Sequence, residues 1–369
     1  MTGGGNLRQL IKKLYMTIIS FLNLIYVKKK IDPQHIVVMM TFVEDVLPII
    51  EVLNRKSYKV TVIAKEINRK HVERLDNVTF IPAGNKQVFK HIKAMSTAKI
   101  IVIDTYYLLF GGFKKKSQQT MIQTWHAVGA LKNFGLTDHQ VDLNNKKMVK
   151  QYKKVYQATD KYLVGGEPMA DCFKASFGAR DDQFLRTGLP RLVPYANLDI
   201  KQKQQALKLQ YGIKDKLALY VPTYREHHQA NQVIDKARFE TALPSYTLIS
   251  KLHPSLPQDK QNHINLQSLM IMADIIITDY SSLAIEASLL NKPALFYVYD
   301  EANYEKVRGL NSYYYEIPEL YKAYSEEGIV HILQAHASEL KPLFKNWHDY
   351  NDQNSLNQVI NHIEKMVKT

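Results

Sequence analysis

Two serines at the junction between an apolar run and a helical pattern could hold an anion. Residues 275–277 are all isoleucine and predict a buried parallel strand, and the continuation TDYSSLAIEASLLNKPALFYVYD (278–300) predicts a helix and a second strand. A helix that begins at Ser281 and Ser282 would offer N–H groups and its positive dipole end to a phosphate. Glu286 lies one turn further on, where it could accept hydrogen bonds from a ribose. The alternative is that the serines only cap the helix.

Other polar side chains follow further apolar runs of the same half. Thr223 and Arg225 come after LALYVP, Lys251 and His253 come after TLIS, and Asp279 comes after IIIT. A guanidinium fork suits phosphate oxygens, and a protonated histidine can neutralise charge on a leaving group. The alternatives are a surface ion pair for Arg225 and a packed loop histidine for His253. Parallel strands gather their carboxyl ends at one edge, so the pattern predicts an anion site there.

One histidine of the first half of the chain also follows a predicted strand. His126 follows MIQT and Trp125, and it precedes the small residues 127–130 (AVGA) and then Lys132. Such a histidine is a candidate general base for an acceptor hydroxyl, with the small residues leaving room for a bulky acceptor. Lys132 adds a cation for an anionic substrate. The alternative is a structural histidine beneath a turn.

The elements that must position these residues alternate between strand and helix, which predicts an α/β fold. The segment RTGLPRLVPY (186–195) predicts a linker between two doubly wound, Rossmann-like domains, 33–190 and 191–369, that face a ligand cleft. The predicted strands are 36–40, 58–64, 78–82, 100–104, 121–124, 162–164, 217–222, 246–252, 275–277 and 294–298, and the predicted helices include 45–55, 144–159, 203–210, 267–273 and 356–367.

The first 32 residues predict a separate arm. Residues 14–27 are uncharged and apolar, too few to span a bilayer, and lysines and an arginine lie on both sides of them. Thr17, Ser20 and Asn23 recur at helical spacing and give a narrow polar stripe. The pattern is typical of an amphipathic helix that lies in the interface of an anionic leaflet. The alternative is a helix packed on the protein's own core.

The composition of the chain limits the classes of binding partner that it favours. Among 369 residues, 49 Lys and Arg stand against 35 Asp and Glu, a formal net charge of +14, which favours a polyanionic partner. No nucleic-acid-binding motif is present, so phosphorylated substrates and an anionic membrane are the stronger candidates. Cys172 is the single cysteine, no Cys/His spacing fits a zinc site and no paired-carboxylate metal signature occurs. We therefore expect no tightly bound cofactor or metal, with assistance by Mg²⁺ left open.

Four segments together resemble the CDP-glycerol glycerophosphotransferases that build teichoic acids at the cytoplasmic face of Gram-positive membranes. They are QTWHAVGALKNFG (123–135), VPTYR (221–225), KLHP (251–254) and ITDYSSLAIEASLLNKPALFY (277–297), with YEKVRGLNSYYYEIP (304–318) as a further likeness. The resemblance implies a GT-B fold, CDP-glycerol as donor, a lipid-linked acceptor and release of CMP. It also implies a peripheral membrane protein, with other enzymes of the pathway as candidate partners.

The resemblance assigns roles to individual residues. It implies that His126 is the base and that His253 lies at the donor pyrophosphate with Arg225 and the segment from Asp279 to Ser282. Where polymerising members read WHG-T-P-L-K, this chain reads WHAVGALK. That departure resembles the members that add the first glycerol phosphate to undecaprenyl-diphosphate-linked ManNAc-GlcNAc. The alternatives are addition of the next one or few units, a GT-B transferase that uses a UDP-sugar, and a catalytically silent membrane scaffold.

Overall fold

The computed structural model describes residues 3–223, 233–252 and 263–369, and the chain forms two compact units. The first unit comprises Met1–His126, Val141–Ala196 and Asp349–Thr369. The second comprises Ala127–Gln140 and Asn197–His348.

A parallel sheet forms the centre of the first unit. Its central strands are rich in Ile and Val and buried on both faces, as a parallel sheet covered by helices requires. In the described residues it has seven strands in the order β3-β2-β1-β4-β5-β6-β7. These are β1 (Asp32–Met40), β2 (Lys59–Ala64), β3 (Val78–Pro82), β4 (Ala98–Ile103), β5 (Thr120–Gln123), β6 (Lys161–Leu163) and β7 (Phe184–Leu185).

Helices connect these strands and cover the sheet. The helix from Val43 to Arg55 corresponds to the predicted helix at 45–55, and it buries Val46, Ile49 and Ile50 at helical spacing. The helices of this part of the chain are α1 (Gly3–Tyr26), α2 (Val43–Arg55), α3 (Val88–Thr97), α4 (Lys146–Tyr156), α5 (Glu167–Phe177) and α6 (Val193–Ala196).

The second unit has its own parallel sheet, with the order β12-β11-β10-β8-β9 among the residues described. Its strands are β8 (Lys216–Tyr220), β9 (Tyr246–Ser250), β10 (Ile275–Thr278), β11 (Ala294–Tyr297) and β12 (Lys322–Ala323). Its helices are α7 (Ile200–Tyr211), α8 (Lys236–Ala242), α9 (Leu266–Met272), α10 (Leu283–Leu289), α11 (Glu301–Val307), α12 (Ser312–Tyr315) and α13 (Glu326–Ala335).

Two segments far from the predicted boundary between residues 190 and 191 belong to the unit opposite to the predicted one. The last helix, α14 (Ser355–Lys368), packs on α2 and on β1 and β4 of the first unit, and it buries Val359, Ile360 and Ile363. Residues 127–140 belong instead to the second unit, where Asn133 N–H donates to the Gly309 carbonyl oxygen at 2.9 Å. Backbone pairing and apolar burial, rather than chain order, decide both assignments.

Helix α1 packs on the rest of the first unit through Met16, Ile19, Asn23 and Tyr26, which are buried, whereas Thr17 and Ser20 of the predicted polar stripe are exposed. Ser20 Oγ donates to the Gly112 carbonyl oxygen at 2.9 Å and Asn23 Nδ2 donates to the Lys114 carbonyl oxygen at 3.1 Å, while Ile19 is buried in the core beside them. The opposite side is exposed and apolar. Its large exposed side chains are Leu7, Leu10, Ile11, Leu14, Ile18, Phe21, Leu24 and Ile25.

The packed side agrees with the interpretation of α1 as a helix on the protein's own core, and docking of the exposed side to a membrane stays a prediction. No helix in the described ranges has the length and apolar character that crossing a bilayer would require.

Candidate functional site

His126 follows a strained turn at the end of β5. Trp125 has a φ of 63°, in the left-handed region that bulky residues rarely adopt. The turn is held because Trp125 N–H donates to Gln123 Oε1 at 2.9 Å and the indole packs edge-on against Phe173 and Phe177. Backbone strain of this kind costs about 1–3 kcal/mol and persists only where the surroundings impose it. The fold thus aims the side chain of His126 at the carboxyl edge of the sheet.

The imidazole of His126 is fixed on two sides. Its Nδ1 lies 3.0 Å from the backbone carbonyl oxygen of Asp104, and its ring is stacked on Phe42 with 4.5 Å between centroids and 13° between planes. A carbonyl oxygen can only accept, so Nδ1 carries the proton in the neutral ring and Nε2 carries the basic lone pair. This is the tautomer that a general base acting through Nε2 needs.

Asp104 holds the loop that carries Phe42. Its Oδ2 accepts from the N–H groups of Thr41 and Phe42 at 2.6 and 2.7 Å, and its Oδ1 accepts from the Tyr107 hydroxyl at 2.7 Å. Burial raises the pKa of Asp104, and these donors act in the opposite direction by stabilising the carboxylate. The side chain of Asp104 therefore positions Phe42 while its backbone carbonyl orients His126.

A buried ion pair supports the same region. Arg191 Nη1 lies 3.3 Å from both carboxylate oxygens of Asp45, whose side chain is 5% exposed, and 3.4 Å from the carbonyl oxygen of His126. Burial raises the pKa of Asp45 to about 7, although the neighbouring guanidinium lowers it. Arg191 thus connects the predicted linker to helix α2 and to the backbone of the candidate base.

In the second unit, Asp279 joins the ends of two neighbouring strands. Its Oδ1 accepts from Thr223 N–H at 2.8 Å, from Thr223 Oγ1 at 2.6 Å and from Tyr280 N–H at 2.7 Å. Asp279 is buried, so this carboxylate shapes the strand-end loops. The structure brings Thr223 and Asp279 together, as their strand-end positions predict.

The two serines lie at the start of α10. Ser282 is the N-cap residue, and Ser281 Oγ accepts from Leu283 N–H at 3.3 Å. Helix α10 has seven residues, and Glu286 is buried in its first turn. The hydroxyls, Thr223 and Asp279 thus all follow β8 or β10, which are adjacent in the sheet.

The two candidate lysines of this unit also have defined places. Lys251 follows β9; its Nζ donates to the Ile264 carbonyl oxygen at 3.1 Å, and burial lowers its pKa. Lys132 forms an isolated antiparallel bridge with Leu310. Arg225 and His253 lie outside the described residues, so their predicted roles remain predictions.

The small residues after His126 do not leave the open space that the sequence interpretation assigned to them. Val128 and Ala130 are buried, and a Cβ on Gly129 would lie 2.5 Å from Ile285 Cδ1 and from the ring of Trp347. That part of the interpretation is wrong, because the segment packs tightly against helix α10. Glycine is required at position 129 by the close approach of Trp347.

Four residues around His126 were not identified from the sequence: Phe42, Asp45, Asp104 and Arg191. Asp104 directly follows β4, so the strand-end rule that selected His126 could have selected it. Phe42, Asp45 and Arg191 contribute through contacts that no local pattern encodes. Among the described residues, no group of three or more His, Cys, Asp or Glu side chains could hold a metal ion.

Sequence comparisons with known proteins agree on one family. The family model described as CDP-glycerol:poly(glycerophosphate) glycerophosphotransferase matches residues 37–365. The teichoic acid glycerol-phosphate primase of Staphylococcus aureus is 52% identical over 97% of this chain and 99% of its own length. The teichoic acid glycerol-phosphate primase of Bacillus subtilis is 34% identical over 84% of this chain and 86% of its own length.

A likeness to a solved structure extends over nearly the whole chain. The wall teichoic acid polymerase TagF aligns over 98% of both chains, with a TM-score of 0.73 and 18% identity. At that identity the likeness shows the fold alone, and it agrees with the predicted α/β architecture.

Proposed function

This chain belongs to the CDP-glycerol:poly(glycerophosphate) glycerophosphotransferase family, and we propose that it is the member that adds the first glycerol phosphate of a teichoic acid. The donor is CDP-glycerol, and the acceptor is the ManNAc of undecaprenyl-diphosphate-linked ManNAc-GlcNAc. The observation that carries the proposal is the 52% identity, over 97% of this chain, to the glycerol-phosphate primase of Staphylococcus aureus.

In the proposed reaction His126 is the general base. Its Nε2 takes the proton of the acceptor hydroxyl as that oxygen attacks the β-phosphorus of CDP-glycerol. The new O–P bond forms as the bond from the β-phosphorus to the bridging oxygen breaks, and CMP leaves with the electron pair. The carbonyl of Asp104 supports this role because it holds the proton on Nδ1, at 3.0 Å.

The donor is proposed to bind at the strand ends of the second unit. Hydroxyl groups of Thr223, Ser281 and Ser282 follow the adjacent strands β8 and β10, and Lys251 follows β9, the other neighbour of β8. Hydroxyl donors and a cation suit pyrophosphate oxygens. Arg225, His253 and Lys132 supply further positive charge, and Glu286 is assigned to the ribose. Asp279 acts by positioning Thr223.

Donor specificity tests this reaction class. The protein is incubated with the ManNAc-GlcNAc-diphospholipid and either CDP-glycerol or a UDP-sugar, and the released nucleotide is identified by chromatography. CMP released only when CDP-glycerol and the acceptor are both present supports the proposal. UDP release without CMP would assign the chain to sugar transfer, and release of neither would favour a silent scaffold.

We also propose that the protein is peripheral to the cytoplasmic face of the membrane and docks through the exposed apolar side of α1. Leu14, Phe21 and Leu24 are 60%, 67% and 65% exposed, and exposed apolar surface of this extent is uncommon on monomeric soluble proteins. An apolar face flanked by lysines suits the headgroup boundary of an anionic bilayer.

Surface substitutions test this docking. The triple variant Leu14→Gln, Phe21→Gln, Leu24→Gln should lose co-sedimentation with phosphatidylglycerol vesicles and keep turnover on a short-chain soluble acceptor. Ile67→Gln with Leu209→Gln, two apolar sites outside α1 that are more exposed than the three test sites, serves as the control. Unchanged sedimentation of the triple variant would rule out α1 as the docking element.

A further inference from the structure

A groove lies between α1 and α4 in the first unit. It has a volume of about 780 Å³, within the range of ligand-binding pockets in proteins. Helix α1 contributes Gln9, Leu10, Lys13 and Met16 to its lining, and α4 contributes Lys147, Met148, Lys150, Gln151 and Lys154. The helices are also joined directly, since Asn145 Nδ2 lies 3.4 Å from Gln9 Oε1 and Lys12 Nζ lies 5.7 Å from the ring centroid of Tyr152.

The lining of this groove combines cations with apolar side chains. Helix α4 reads KKMVKQYKKVY, with five lysines and no acidic residue. Four lysines line the groove (Lys13, Lys147, Lys150 and Lys154), and none of them has a carboxylate within ion-pair distance among the residues that the structure describes. Uncompensated positive charge around a concave site favours an anionic ligand.

The apolar part of the lining continues onto the exposed side of α1. Leu10 lines the groove and is also 63% exposed, on the same side of α1 as Leu14 and Phe21. Met16 is buried against the first unit and Met148 lies on α4. A ligand with its charged group among the lysines could therefore extend an apolar chain along α1.

We propose that this groove binds the diphosphate and first isoprene units of a polyprenyl-diphosphate lipid, as the carrier of the acceptor; this inference rests on the proposed function. Four cations match the multiple negative charge of a diphosphate better than the single charge of an ordinary anionic phospholipid. The methionines and Leu10 match the branched hydrocarbon that follows the diphosphate. The groove thus recognises the carrier lipid, which is the same whatever the length of the polymer attached to it.

Two pairs of lysines, one from α1 and α4 and the other from α4 alone, provide a test with equal loss of charge. Lys13 and Lys147 line the groove, whereas Lys146 and Lys153 do not and line only the neighbouring depression of α4, which shares Lys150 and Lys154 with the groove. The variants Lys13→Gln/Lys147→Gln and Lys146→Gln/Lys153→Gln remove the same charge from the full-length protein. Binding of farnesyl diphosphate, a soluble polyprenyl diphosphate, is measured by calorimetry for each.

We expect the groove pair to weaken farnesyl diphosphate binding tenfold or more and the control pair to weaken it less than threefold. Equal losses in the two variants would overturn the proposal, because they would indicate unspecific surface charge. Inorganic pyrophosphate is the second probe. If it binds as tightly as farnesyl diphosphate, the apolar contacts contribute nothing and the lipid assignment is wrong.

Vesicles separate the carrier lipid from ordinary anionic phospholipid. Phosphatidylcholine vesicles that contain a long-chain polyprenyl diphosphate should retain more protein than vesicles of the same charge density made with phosphatidylglycerol, and the groove pair should abolish that preference. Equal retention by the two vesicles would contradict the proposal. These experiments measure lipid binding without turnover. Failure of the groove proposal therefore appears as a loss of lipid preference, whereas failure of the proposed function appears as no release of CMP from CDP-glycerol.

Discussion

The backbone carbonyl oxygen of Asp104 lies 3.0 Å from Nδ1 of His126 and so selects the tautomer of that histidine. The two residues follow the adjacent strands β4 and β5, whose parallel register brings their ends together. A main-chain acceptor cannot itself take a proton, so this contact orients the ring while leaving the basic lone pair on Nε2. The contact is the geometric basis for treating His126 as a base.

Replacing His126, the proposed base, should affect turnover far more than donor binding. We expect His126→Ala to reduce CMP release by about 10²–10⁴-fold, the usual contribution of a positioned general base, while the Kd for CDP-glycerol changes less than threefold. Exposed His71→Ala in the same unit is the control and should match the parent protein. Near-normal turnover of His126→Ala would show that another group takes the proton.

The buried pair of Asp45 and Arg191 should show strong coupling. Arg191→Met leaves a carboxylate that is 5% exposed without its guanidinium, and we expect a loss of about 3 kcal/mol in the free energy of unfolding. Replacing both residues, with Asp45→Leu and Arg191→Met, should cost clearly less than the sum of the single losses. Urea denaturation of the four proteins measures this, and additive losses would show that the pair does not interact.

The same pair gives a pH dependence with a defined sign. Burial raises the pKa of Asp45 to about 7 even with Arg191 present, and removing the cation raises it further. A carboxyl whose folded pKa is raised binds its proton in the fold more readily than in the unfolded chain, so stability falls as pH rises. Arg191→Met should therefore be more destabilising at pH 8 than at pH 6.

Much of the architecture follows from local patterns, and the exceptions have physical causes. The strand at 78–82 agrees with β3 residue for residue, and the predicted helix at 356–367 corresponds to α14. The sequence did not indicate that α14 returns to the first unit or that residues 127–140 join the second, because partner choice depends on surfaces distant in the chain. Arg191 illustrates the same limit, since it lies in a predicted linker and its pairing with Asp45 has no sequence signal.

Gly129 should tolerate no side chain. Gly129→Ala places a methyl group 2.5 Å from Ile285 Cδ1 and the Trp347 ring, and we expect a loss of about 1–3 kcal/mol in stability. We also expect weaker donor binding, since the two serines proposed to bind the donor directly precede α10. Gly328→Ala is the control because its nearest neighbours lie 3.6 Å away and it occupies helix α13. That variant should gain about 0.5–1 kcal/mol. Equal stability of the two variants would contradict the packing argument.

His35 should make the protein sensitive to acid. Its Nδ1 and Nε2 lie 3.0 and 2.9 Å from the hydroxyls of Thr97 and Thr61, and burial lowers its pKa to about 4. In the unfolded chain His35 binds a proton near pH 6.5, whereas in the folded protein it does so only near pH 4. Its contribution to the free energy of unfolding is therefore complete above pH 6.5 and is lost as pH falls toward 4.

Replacing His35 with a residue that does not titrate should make the free energy of unfolding depend less on pH. His35→Gln keeps hydrogen-bonding groups without a charge, and we expect it to reduce the stability lost between pH 7 and pH 4 by about 3 kcal/mol. Exposed His331→Gln serves as the control. Denaturation curves at several pH values measure the difference, and parallel profiles for His35→Gln and the parent would disprove the assignment.

The mass of the product formed on an unprimed acceptor tests the proposed priming reaction most directly. The protein is given CDP-glycerol and a synthetic ManNAc-GlcNAc-diphospholipid, and the lipid product is examined by mass spectrometry. We predict that one glycerol phosphate is added and that one CMP is released for each. Addition only to an acceptor that already carries a glycerol phosphate would contradict the account and assign the chain to the following step of assembly.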